Sequence, residues 1–553
     1  MRGARWGTST PDRRSARRRA LLLLLALLAL GFASATAAQD HTTSHAAETL
    51  GRARFPVSCS PAAQAEFDRA VAMLHSFWFP QATVAFTGVT RTDPDCAMAH
   101  WGIAMSQRGN PLVGAPAPAA LKAGWAAVEK AQALGPQTPR ERDYVAAMES
   151  YYKDADTIDH ATRVLAYEAA MSQVHARHPA DAEAATLYAL AMNEAILVLP
   201  PDKTYARHQA AARLLESVLA GQPDHPGALH YLIHSYDFPA LAARGLPAAR
   251  RYEAVASSAP HALHMPSHIF SMLGMWEESI RSNRAALGVA KTYVHAVDFT
   301  VYAHLQQAQD EAARALVDET AALLRTQAPA ADLTPTAGIL TVHTAFAAVP
   351  ARYAIERGAW AEAAALPVRS STPAADAVTH FARAMGAVRS GNAAAARPDM
   401  ERLEALRETL ARSKQEYWAE QVEIQRLAAT AWVALAEGRS AEALRLMRAA
   451  ADREDASEKH VAMENRLWPM RELLGELLLE LKQPALALPE FEASLQVAPN
   501  RVRGLSGAAR AAELAGNRPQ AREYYRQLLT LAGGFDAANR AELRQAHAFV
   551  SQP

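Results

Sequence analysis

The runs ALHYLIHSYD (residues 228–237) and HALHMPSHIF (residues 261–270) decide how this chain folds. Five of its 20 histidines lie between His230 and His268. His230 and His234 stand four apart, and the same pair returns 34 residues later as His264 and His268. Residues four apart share one face of a helix. A chemical pattern that returns at a fixed interval of this length marks a stacked helical repeat.

Outward from these runs the pattern holds. From Pro61 apolar residues recur at helical spacing almost to the C terminus, without the alternation of a sheet. Gly109-Asn110-Pro111, Gly135-Pro136, Pro200-Pro201, Pro223, residues 327–335 and Pro499 interrupt it at intervals suited to paired helices. Near the C terminus, Ala487 and Phe491 are followed by Pro499 and the turn residue Gly516, and Ala521 and Tyr525 repeat the small–aromatic pair. This stretch resembles the tetratricopeptide-repeat family. Similar registers occur at residues 79–82 through Pro94, at Gly274 to Trp276, at Gly358 to Trp360, at Gly391-Asn392 and at Gly438-Arg439. HYLIHSYD, HALHMPSHIF and CAMAHWGIAM are also similar to a group of exported bacterial tetratricopeptide proteins. The resemblance implies an all-α solenoid of stacked helical hairpins, with roughly nine to eleven repeats. We expect one array over residues 59–330 and a second over 331–551, separated near residues 327–335.

Composition agrees with an extended helical array. The chain has 553 residues, too many for one compact core, and only 7% of them are aromatic. Its 57 basic and 57 acidic residues cancel, which argues against a basic face for nucleic acid.

The N terminus reads as an address. Arg13, Arg14 and Arg17 to Arg19 precede the apolar run from Ala20 to Leu30, and small residues follow to Ala38. This is the order of a cleaved signal peptide over residues 1–38, too short for a comfortable membrane span. We expect a periplasmic or secreted protein with no membrane anchor after cleavage, and disorder over the polar residues 39–58. In an oxidising compartment the two cysteines, Cys59 and Cys96, read as one disulfide that staples the first hairpins.

The resemblance implies where the histidines point. In tetratricopeptide arrays the first helix of each pair lines a concave groove. With Gly274 at the mid-repeat turn, His261, His264 and His268 take groove positions. One repeat earlier these are His230, His234 and Asp237; one repeat later they are His295, Asp298 and Tyr302. Arg352, after the helix-interrupting Pro350, and His75 also face the groove in this register. Neighbouring helices lie about 8–10 Å apart, so imidazoles and carboxylates from two of them can meet on one ion. We expect a transition metal (zinc, copper or iron) on His230, His234, His264 and His268, with His261, Asp237 and Asp298 as further ligands. His295, Tyr302, Arg352 and His75 are expected as groove-lining polar residues.

Two other readings stand beside this one. The histidines could serve acid–base chemistry without a metal, or be satisfied core hydrogen-bonding groups. The groove could hold a peptide or protein partner, as helical scaffolds do. Glu458 and His460 are expected in a solvated loop, and His304, Trp276 and Trp360 in packing. The sequence has no P-loop, no G-x-S-x-G elbow and no H-E-x-x-H, so no reaction is specified.

Overall fold

The computed structural model describes residues 48–552 apart from 326–337, 370–371, 462, 465 and 534–539, together with the isolated Gly3. The signal peptide expected over 1–38, and the gap expected between the two arrays, fall outside the described residues. From Thr49 onward the chain forms one compact unit. No described residue is in a strand, and each helix packs chiefly on its neighbours in sequence. The expected array of helical hairpins is therefore what forms. Among the described residues no helix is long and apolar enough to cross a membrane.

The helices that build the site are α1 (Pro61–His75), α2 (Ala182–Ile196), α3 (Pro226–Tyr236), α4 (Pro260–His264), α5 (Pro266–Met272), α6 (Trp276–Val289), α7 (Val294–Gln306) and α8 (Gly338–Glu356). Pro226 opens α3, where its missing N–H costs nothing. Pro266 has a different effect. Met265 keeps right-handed helical angles (φ −53°, ψ −36°) and bonds back to the His261 carbonyl, so α4 and α5 form one helix interrupted at the proline.

Small residues allow the close stacking. A Cβ on Gly227 would lie 2.4 Å from the His75 ring, so only glycine lets α3 approach the end of α1 this closely. One apolar core runs from Leu50 to Phe270 and another from Ala348 to Ala511. The later helices fold back on the middle of the chain. Trp276 donates its indole N–H to the Asn500 carbonyl (2.7 Å), and Gln306 accepts the Val502 N–H (3.0 Å). Arg501, fully buried, pairs with Glu356 (2.9 Å) and Glu472 (3.0 Å).

Cys59 and Cys96 form the expected disulfide across 37 residues. The expectation of disorder over 39–58 fails in its described part. Phe55 is fully buried, with its ring 5.0 Å from Trp101 and 4.9 Å from Tyr144, and Ser58 bonds Glu141. Leu50 and Ala53 are buried with it, so three apolar residues anchor the segment.

Candidate metal centre

The histidines of α3, α4, α5 and α7 gather into two triads. His230, His234 and His261 form one, and His264, His268 and His295 the other. Every member is buried, none more than 6% exposed. In the first triad the Nε2 of His230 lies 3.0 Å from that of His234 and 3.1 Å from that of His261. In the second, the Nε2 atoms of His264 and His268 are 3.0 Å apart. Nitrogens around a tetrahedral zinc at 2.0–2.1 Å would be separated by roughly 3.3 Å. The observed spacings fall close to that value.

Four of the six rings are held from behind by the fold, while the Nδ1 atoms of His234 and His295 have no hydrogen-bond partner among the described residues. His230 Nδ1 donates to the His75 main-chain carbonyl (2.6 Å), and His261 Nδ1 meets the Tyr293 hydroxyl (2.8 Å). His264 Nδ1 meets Asn283 Oδ1 (2.6 Å), and His268 Nδ1 meets the Asp237 carboxylate (2.8 Å). Asn283 cannot be turned round, because its Nδ2 donates to the Ser279 carbonyl (2.8 Å). His264 must therefore carry its proton on Nδ1. Burial pushes the Asp237 carboxyl up, and Lys459 Nζ, 3.4 Å away, opposes this. As the carboxylate that pairs with the Lys459 ammonium, Asp237 accepts from His268, which is then likewise protonated on Nδ1. Two bare Nε2 lone pairs then face each other. Such a contact repels unless a cation lies between the nitrogens.

A proton is a poor candidate for that cation. Burial lowers His264 to about 4 and His230 to about 3, and pushes His234, His261, His268 and His295 well below 6.5. Aromatic rings complete the dry shell. Phe77 lies 4.4 Å from the His230 ring, and Phe299 lies 4.8 Å from His264 and 4.7 Å from His268.

A third cluster provides a contrast. His75 Nε2 and His225 Nε2 share the Glu183 carboxylate at 2.7 and 3.2 Å. His75 Nδ1 meets the Tyr231 hydroxyl (3.0 Å), and His225 Nδ1 accepts the Ala228 N–H (3.2 Å). Every donor here has an acceptor. Burial alone would raise the Glu183 carboxyl, but the two imidazoles hold it well below the usual range. This cluster is satisfied as it stands, and its His75 carbonyl orients His230 from behind.

The sequence expectations meet this geometry unevenly. One four-histidine site was expected from His230, His234, His264 and His268; the structure separates these into two pairs. His261 completes the first, and His295, expected only as a lining residue, completes the second. Asp237 stands behind His268, outside the converging nitrogens. Asp298 is turned away and paired with Arg352 (2.8 Å), because a buried guanidinium must be matched by a carboxylate. Tyr302 bonds Arg501 and sits under Arg352, and His75 belongs to the third cluster. The helix positions alone did not identify Asn283, Tyr293 or Glu183.

The centre is also covered, where an open groove was expected. Glu458, Lys459 and Arg466 are tied to earlier helices beside it. Glu458 bonds Lys203 and Tyr205 (both 2.6 Å), Lys459 reaches Asp237, and Arg352 donates to the Arg466 carbonyl (3.2 Å). The solvated loop expected around Glu458 and His460 is instead tied down, because its charges find partners on earlier helices. His304 bonds Gln309 (2.5 Å), Trp276 is buried, and Trp360 stacks on Trp468 (5.6 Å between rings), in keeping with packing roles.

No family model matches the chain, and no curated protein matches it. Among solved structures, it is similar to Naa15/Naa10 bound to HypK-THB, with 14% identity, 88% of this chain and 74% of that one covered, and a TM-score of 0.23. A tetratricopeptide repeat protein from Parabacteroides merdae gives 9% identity, 74% and 100% coverage, and a TM-score of 0.23. The APC/C hetero-tetramer Cut9-Hcn1 gives 11% identity, 89% and 90% coverage, and a TM-score of 0.33.

Proposed function

We propose that this is an exported helical-repeat protein whose buried histidine centre binds a transition metal. The observation that carries the reading is the contact of His264 and His268. Their Nδ1 protons are committed to Asn283 and Asp237, and their Nε2 lone pairs meet at 3.0 Å. Neutral imidazoles whose far nitrogens are fixed by amide, carboxylate and carbonyl oxygens are the arrangement that histidine-ligated metals use. Export fits the N-terminal address and the Cys59–Cys96 disulfide.

A peptide-binding role for the same histidines is less well supported, since their rings are buried. Metal analysis of untagged protein purified from the periplasm tests the proposal, beside a His264→Ala/His268→Ala variant. Stoichiometric metal that falls in the variant is the expected result. Metal-free protein that also takes up no added zinc or copper would remove the reading.

A further inference from the structure

We propose that the centre takes two copper ions side by side, one in each imidazole triad. This rests on the metal-binding reading above and adds the number and identity of the ions.

The number follows from the repeat. Adding 34 to His230, His234 and His261 gives His264, His268 and His295, so the second triad is the first moved along by one repeat. Each triad takes two nitrogens from one helix and the third from the next helix in the stack. A further step arrives at Asp298 and Tyr302, which are held by Arg352 and Arg501. A step backward arrives at Ile196 and Pro200. The row therefore has two places. They adjoin: the rings of His261 and His264 are 6.0 Å apart, and those of His234 and His268 are 6.2 Å apart.

The identity follows from charge and donor type. Both converging sets are imidazole alone, because Asp237 and Asp298 are engaged with His268 and Arg352. The two-histidine, one-carboxylate arrangement of non-haem iron is not built. Asp237 is itself neutralised by Lys459. Two divalent ions would place four positive charges in adjacent, buried, neutral sites, whereas two cuprous ions place half as many. Imidazole nitrogen is among the donors that suit copper.

The test uses the untagged full chain, loaded anaerobically with cuprous ion and desalted. Two coppers per chain are expected, falling to one in His234→Ala and one in His295→Ala. Glutamine variants replace these if alanine unfolds the protein. An equal concentration of zinc should leave the copper in place. Saturation at one copper, or loss of all copper from either folded variant, would overturn the pair. Displacement by zinc would overturn the identity, and failure to bind any metal would remove the underlying reading as well.

Discussion

His264 and His268 present their Nε2 atoms to each other at 3.0 Å while Asn283 and Asp237 hold their opposite nitrogens. The outer pair thus decides what the inner pair can do, because it fixes which nitrogen of each ring is bare.

Asp237 should therefore matter to metal affinity without being a ligand. Asp237→Ala is expected to weaken binding about 10–100-fold by freeing the His268 ring. Competition with a chelator of known affinity would measure this. Unchanged affinity in a folded variant would show that His268 needs no orienting partner.

The pH dependence of the metal-free protein follows from the lowered imidazoles. Once unfolded, His264 takes a proton near 6.5, whereas in the folded chain it resists until about 4. The unfolded state binds more protons throughout that window, so stability falls as pH drops from 6.5 towards 4. The group adds nothing further below that. For His264 alone the loss is on the order of 3 kcal/mol. Urea denaturation at steps between pH 7 and pH 4 should show a falling midpoint, and a flat profile would contradict the buried, neutral state of these rings.

Glu183 provides the control. Its cluster is fully paired, so Glu183→Gln should cost on the order of 1–3 kcal/mol, by leaving a buried imidazole poorly matched. Bound metal should stay at the wild-type level. A loss of one equivalent would instead reveal a third site.

Access should depend on the residues around Glu458. Lys203 and Tyr205 both hold Glu458, and removing them in Lys203→Ala/Tyr205→Phe takes away about 1–2 kcal/mol from the closed arrangement. Metal release to an excess of chelator should then quicken roughly tenfold, with the amount bound unchanged. An unaltered release rate would show that the segment does not gate the centre.

Much of this molecule can be read from its residues. The return of His230 and His234 as His264 and His268 reveals the repeat, and the turn at Gly274 supplies its register. The grouping of ligands is less legible. Residues four apart on one helix declare a shared face, but the third member comes from the next helix. A signal for it exists, since His261 and His295 are also 34 apart. Asn283 lies on the alternate helix of the hairpin, where helical position gives no hint of an inward amide. Glu458 and Lys459 read as solvated because the polarity of a loop does not disclose that its charges have partners more than 200 residues away.

Because each triad draws two rings from one repeat and one from the next, the ligand set belongs to the junction and not to the unit. A single repeat, excised, would hold an incomplete set. A row of copies would hold one fewer set than it has units. Duplicating a segment such as residues 230–263 would thus lengthen the row by one complete triad with no new residue type needed. In such an array the count of centres is heritable by copying, like vertebrae in a spine.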